Sequence, residues 1–202
     1  MTTSTRREIV LFHPALGLRP AVLQFADKLR SAGHIVHTPD LYDGEVFDDP
    51  AKAANKVQHL GFDEILARSQ RAVVSLPDDL VYAGFSNGGA CAELLAATRP
   101  GAQAAILMHA PLPIRSLGWD VWPAGCPVQV HFAERDSLPH QPVIDALAVK
   151  VQQSGASFEQ YDYPGWGHVF IDQGRPGYSE ATSEQMFKRV RDFLERLPQV
   201  RG

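Results

Sequence analysis

The chain has 202 residues, 45% hydrophobic and 21% charged, which suits one soluble domain, residues 1–202, with a substantial core. A net charge of −4 argues against nucleic acid or an anionic membrane surface as a partner. The opening MTTSTRR is polar and the next apolar run, Ile9 to Phe12, is too short for a signal peptide or a membrane span, so a cytoplasmic protein is expected.

In chain order, residues 7–13 (REIVLFH) read as a first strand, apolar enough to be buried on both faces of a parallel sheet. The loop His13 to Pro20 follows. Val22, Phe25, Ala26 and Leu29 then keep helical spacing until Gly33. A second strand, Ile35 to Thr38, ends in Pro39-Asp40-Leu41-Tyr42. The acidic cluster Asp43, Glu45, Asp48 and Asp49 reads as solvated loop, not as a metal site. One short helix is expected from Pro50 to His59 and another from near Gly61 toward Leu76.

Leu80 to Ala83 is the central strand. Ala104 to His109 is the fourth and Val128 to Ala133 the fifth, separated by a long loop, residues 110–126, rich in proline and tryptophan. A helix follows over Gln141 to Ser154. Phe158 to Tyr163 is a sixth strand with edge-like alternation, and an amphipathic helix closes the chain from Ser179 to Leu197. Strand and helix alternate throughout. This predicts an α/β fold: a mostly parallel six-stranded sheet with helices on both faces.

The chemistry is concentrated at Gly84-Phe85-Ser86-Asn87-Gly88. An apolar strand meets G-x-S-x-G, and a helix-prone run begins at Gly89. That is the strand–turn–helix context of the nucleophile elbow in α/β-hydrolases. The serine sits on a strained turn, so the residues two before and two after it must lack side chains for strand and helix to pass closely. The helix N-terminus beside it favours an oxyanion.

A serine hydroxyl needs a general base. In this fold the acid and the histidine follow the serine in chain order, each just past a strand. Asp136 lies past the fifth strand and His168 past the sixth, which assigns Ser86, Asp136 and His168 as a triad. Glu134 is the rival acid. Of eight histidines, His37 and His131 fall inside strands and read as core residues, while His13 and His109, at strand ends, are candidates to line the pocket. The oxyanion donors are expected to be the N–H of Asn87 and an N–H from the loop after the first strand. Pro14 has none, so Ala15 is the better donor, with Leu16 next. Cys91 and Cys126 stand at no metal or redox spacing and are expected to be reduced and buried.

The sequence resembles the dienelactone hydrolase family of α/β-hydrolases over nearly its whole length. The resemblance rests on Leu16-Gly17, Pro39-Asp40-Leu41-Tyr42, Gly84 through Ala90, Asp136, Gly167-His168 and Gly177-Tyr178. It implies a compact hydrolase lacking a large lid domain, with the Ser86–Asp136–His168 triad. Three positions depart from the family pattern. The nucleophile is serine where the family has cysteine, Pro14 stands where the family carries a glutamate, and Asp172 stands where an arginine grips a substrate carboxylate. The departures point to neutral or weakly polar esters or lactones, with activated phosphotriesters as a side activity. Tyr42, Trp119, Trp122, Trp166 and Phe170 are the candidates to line an apolar substrate site.

The leading reading is therefore a cofactor-free, metal-free serine hydrolase acting through an acyl-enzyme, as a monomer or homodimer. A thioesterase is the same-class alternative, and a non-catalytic ligand-binding protein on this fold is the different-class one.

Overall fold

A computed structural model describes residues 6–109, 121–134, 141–165, 167 and 170–198. The elements are β1 (Glu8–Phe12), α1 (Pro20–Ser31), β2 (Ile35–His37), α2 (Pro50–Leu60), α3 (Phe62–Ala72), β3 (Val81–Phe85), α4 (Asn87–Thr98), β4 (Ala104–Met108), β5 (Val128–Ala133), α5 (Gln141–Gln153), β6 (Phe158–Tyr163) and α6 (Glu180–Arg196). The strands form one sheet in the order β2-β1-β3-β4-β5-β6, and every neighbouring pair is parallel.

Alternation along the strands builds two cores. Val10, Phe12, Tyr82, Ala105, Leu107, Val128 and Val130 face one way, against Ile65 of α3, Cys91 and Leu95 of α4, and Ile144 and Leu147 of α5. Ile9, Leu11, Val81, Ala83, Phe85, Ile106 and Met108 face the other way, against Phe25 and Leu29 of α1 and Met186, Val190 and Phe193 of α6. The central strands therefore need apolar side chains at every position, which is why they read as continuous hydrophobic runs. β6 lies at the sheet edge, and only Tyr163 of its six residues is buried.

Local chemistry sets the helix ends. Pro20 opens α1, and Pro50 opens α2 behind an Asp49 cap whose carboxylate accepts the Ala51 N–H. The Ser179 hydroxyl caps α6 by accepting from the Thr182 N–H. The helix expected to run toward Leu76 stops at Ala72, where the chain turns through Val73 before β3. From β1 the chain moves outward to β2, then returns past β1 to β3. The C-terminal ends of β1 and β3 thus sit side by side at a topological switch point, where an open α/β sheet presents its ligand crevice.

Candidate active site

Ser86 follows β3 directly and caps α4, with φ 52° and ψ −119°. An L-residue adopts this conformation only under strain. Two hydrogen bonds and two close contacts enforce it. The Ser86 N–H donates to the Met108 carbonyl at 2.7 Å, and the Ser86 carbonyl accepts from the Gly89 N–H at 2.7 Å. A Cβ on Gly84 would lie 2.0 Å from the Gly88 carbonyl oxygen, and one on Gly88 would lie 2.5 Å from that of Phe12. The sharp turn therefore presses α4 onto the end of β1, and only glycine fits either side. α4 then runs through the interior, with every residue from Gly88 to Ala97 buried.

Ser86 opens into a cavity of about 210 Å³ walled by Pro14, Ala15, Leu16, Pro50, Ala53 and Arg175. Ala15 and Leu16, the expected second source of oxyanion donors, thus share a cavity with the serine. Asn87 is the first residue of α4, where backbone N–H groups have no partner one turn back and the helix dipole is positive. A larger cavity, about 310 Å³, lies at the other end of the sheet beside Gly125, Gly155 and Phe193 and does not include Ser86.

The loop after β1 is pinned carbonyl by carbonyl. The Pro14 carbonyl accepts from the Gly17 N–H at 3.0 Å and the Leu16 carbonyl from the Phe47 N–H at 2.9 Å. Gly17, at φ 87°, packs so closely that a Cβ would sit 2.4 Å from the Glu45 carbonyl oxygen. Buried Arg19 ties this loop to two others. Its Nε donates to Asp172 Oδ2 at 2.7 Å, and its Nη1 donates to Asp48 Oδ1 at 2.6 Å and to the Phe47 carbonyl.

Asp172, where the family arginine was missing, is therefore a buried anchor. Its other oxygen accepts the Gly174 N–H. The turn so formed carries Arg175 to the cavity wall, with Nη1 donating to the Asp48 carbonyl at 2.7 Å. Arg175, Pro50 and Ala53 are cavity walls absent from the pocket expected from sequence. Proline at the start of a helix just after an acidic loop was the available signal for α2. The Arg19–Asp172 pair spans 153 residues and leaves no local signal.

Asp136, His168, Trp119 and Trp166 lie outside the described residues. Glu134 directly follows β5, and its carboxylate accepts the Gly165 N–H at 2.9 Å, so it braces the turn that follows β6. Three pocket expectations need correction. Trp122 is a core residue whose indole N–H donates to the Cys126 carbonyl at 2.7 Å. Phe170 is packed between His109 and Tyr163, with ring centroids at 5.0 and 4.9 Å. Tyr42 is 1% exposed, its ring packed against His13, and burial pushes the phenol up to about 12. Large aromatics near a site were absorbed by the core, as their area favours.

The histidines sort by burial. His131 is a core residue between Tyr163 and Gln129, and His37 pairs with Glu8. His109 is fully buried, and its ring packs on Phe170. His13 is buried too, and neither it nor His109 is a wall of the Ser86 cavity. Cys91 and Cys126 are free, buried thiols, each pushed up to about 12 by desolvation and so unreactive. Among the described residues no helix is long and apolar enough to cross a membrane, and no three His, Cys, Asp or Glu are grouped to hold a metal ion.

With this geometry in place, the comparisons decide the family. The family model described as "Dienelactone hydrolase family" matches residues 2–197. The chain belongs to the dienelactone hydrolase family. Solved structures of similar shape include a dienelactone hydrolase-like promiscuous phosphotriesterase from metagenomic libraries, 22% identical, covering 97% of this chain and 88% of that one at a TM-score of 0.77. The dienelactone hydrolase of Anabaena variabilis is 20% identical over 96% of this chain and 88% of that one, with a TM-score of 0.66. An esterase of Thermogutta terrifontis, solved with propionate bound, is 17% identical over 99% and 88%, also at 0.66. At these identities the structures share the α/β-hydrolase fold, and the family match makes the chain a hydrolase.

Proposed function

We propose that this member of the dienelactone hydrolase family is a serine hydrolase that cleaves small carboxylic esters or lactones through an acyl-enzyme on Ser86. The observation that carries the reading is Ser86 itself: a strained elbow serine at the N-terminus of α4, opening into a cavity it shares with Ala15. Elbow strain is maintained where it serves chemistry.

In the proposed cycle His168, oriented by Asp136, takes the Ser86 hydroxyl proton as Oγ attacks the carbonyl carbon. The carbonyl electron pair moves to oxygen, and that oxyanion accepts from the Asn87 and Ala15 N–H groups. Collapse re-forms the carbonyl and breaks the ester C–O bond. The departing alkoxide, or the opened ring oxygen of a lactone, takes the proton from His168. Water then gives a proton to His168 and adds to the acyl carbon, and a second collapse releases the acid and restores Ser86.

The cavity of about 210 Å³, with mostly apolar walls, fits a short acyl group. Arg175 in the wall makes the comparison of neutral with carboxylate-bearing esters the informative one. The esterase of Thermogutta terrifontis with propionate supports short acyl groups, and the phosphotriesterase relative supports tetrahedral phosphorus as a side substrate. We place the protein in the cytoplasm, as a monomer or homodimer, without cofactor or metal.

The test is intact mass after incubation with a fluorophosphonate, with peptide mapping, followed by a panel of esters, lactones and thioesters of graded acyl length. One adduct on Ser86 and fastest turnover of short acyl oxygen esters are expected. A folded protein that takes no adduct and turns over nothing is a ligand-binding member of the fold, and the reading fails. Preference for thioesters would move the substrate class.

A further inference from the structure

The Pro14–Ala15 peptide is held by a residue with no place in the proposed cycle. The His13 Nδ1 lies 2.8 Å from the Pro14 carbonyl oxygen, and its Nε2 lies 3.0 Å from the Leu41 backbone nitrogen. A carbonyl only accepts and a backbone N–H only donates, so the ring is neutral, with its proton on Nδ1. Burial favours the neutral form, against the opposing pull of Asp40, whose Oδ1 is 3.8 Å from Nε2. The edge of Tyr42 packs on the ring at a centroid distance of 4.7 Å.

The consequence lies on the other side of the peptide. In a planar trans unit the C=O and the following N–H point in opposite directions. The Pro14 carbonyl is fixed by two donors, His13 Nδ1–H and the Gly17 N–H. The Ala15 N–H of the same unit must therefore point away from them, out of the turn, and Ala15 lines the Ser86 cavity. The carbonyl of His13 is meanwhile 2.6 Å from where a Gly88 Cβ would be, so the elbow abuts this same residue.

We infer that His13 is a positioning residue for the oxyanion hole: its Nδ1–H, bonded to the Pro14 carbonyl, aims the Ala15 N–H at the oxygen of the substrate carbonyl. This rests on the Ser86 reading above. Its Nε2 bond to Leu41 is a separate, structural tie between the loop after β1 and the loop after β2.

The two ring nitrogens can be tested apart. In His13→Asn the amide nitrogen replaces Nδ1 and keeps the donor to Pro14, while the acceptor for Leu41 is lost. In His13→Gln the amide reaches the Nε2 position and keeps the Leu41 tie, while the donor to Pro14 is lost. Each variant breaks one buried hydrogen bond, so similar losses in urea midpoint are expected. Their kinetics should differ. His13→Gln should lose roughly 10- to 100-fold in kcat on a short ester with little change in KM, and a like factor in affinity for a boronic acid that forms a tetrahedral adduct on serine. His13→Asn should stay within about threefold of the parent, since it keeps the orienting donor.

Equal kcat in the two variants, with the parent's activity abolished by Ser86→Ala, would overturn the inference and leave the serine mechanism standing. Parent turnover that survives Ser86→Ala would overturn both. Nitrogen NMR of the unmodified protein gives a check that needs no variant: His13 must show the Nδ1–H tautomer at neutral pH, and the Nε2–H form refutes the inference.

Discussion

Gly88 of α4 rests directly on the backbone of Phe12 in β1, at a separation that leaves no room for a methyl group. The contact sets the distance between the elbow and the loop after β1, so it sets the distance between Ser86 and Ala15. Gly88→Ala would drive its Cβ to 2.5 Å from the Phe12 carbonyl oxygen, and Gly84→Ala would drive one to 2.0 Å from that of Gly88. Both neighbours are buried backbone, one in β1 and one in α4, and have no side-chain rotamer to yield. Each substitution should cost about 3 kcal/mol, at the upper end for overpacked cores, and should suppress fluorophosphonate labelling in whatever fraction folds. Urea unfolding and labelling stoichiometry measure the two effects. Unchanged stability in either variant would mean that the elbow relaxes freely.

The strain at Ser86 predicts a stability gain on losing the nucleophile. With φ at 52° the residue pays a steric cost that glycine escapes. Ser86→Gly should abolish ester turnover and stabilise the fold by about 1 kcal/mol, raising Tm by about 2–4 °C. Ser86→Ala should abolish turnover equally but keep the strain and gain less. Melting curves of the three proteins compared side by side settle this, and a Ser86→Gly variant melting below Ser86→Ala would refute stored strain.

Most of the fold was legible because two periodicities were strong. Central strands such as Ala104–Met108, buried on both faces, write themselves as apolar runs, while α1 and α6 carry a one-sided stripe. The elbow was legible because its glycines answer to contacts a few residues away. The walls of the Ser86 cavity were not. Trp122 and Phe170 fall in loop stretches of the sequence, yet they are core residues, Trp122 bonded to the Cys126 carbonyl and Phe170 packed on Tyr163. Arg19 and Asp172 meet across 153 residues, and nothing local in either segment announces the other.

That pair carries its own prediction. Arg19 and Asp172 are both buried and 2.7 Å apart, whereas Asp48, the second partner of Arg19, is almost fully solvent-exposed. Arg19→Met strands a buried carboxylate and should cost about 3–5 kcal/mol. Asp48→Asn should change stability little, because water screens an exposed partner. The Arg19→Met/Asp172→Leu double variant should recover much of the loss, as apolar replacement of a whole buried pair does. It should still slow ester turnover, since Gly174 loses the carboxylate that shapes the turn carrying Arg175 to the cavity wall. Equal effects of Arg19→Met and Asp48→Asn in urea unfolding would show that burial does not set the strength of this network.

His131 predicts how the fold responds to acid. Its Nδ1 is 2.8 Å from the Tyr163 hydroxyl and its Nε2 is 2.8 Å from Gln129 Oε1. Around it stand Tyr161, stacked at 5.6 Å, and Arg189, whose guanidinium lies over the Tyr161 and Tyr163 rings. Full burial, with Arg189 adding repulsion, lowers the imidazole to about 3 from its ordinary 6.5. Above pH 6.5 the residue is neutral in both folded and unfolded chains and contributes no pH dependence. Between 6.5 and 3 the unfolded chain binds a proton that the folded one refuses, so stability falls as pH falls, by about 1.4 kcal/mol per pH unit from this group. His13 and His34, also lowered by burial, act in the same direction below 6.5. His131→Gln should lose about 1–3 kcal/mol at pH 7 through its broken hydrogen bonds. Its stability should then decline less steeply between pH 6.5 and 4.5, by the slope of one proton. Urea unfolding at half-unit pH steps reads that difference, and parallel acid limbs for parent and variant would show that His131 is not the group taking up the proton.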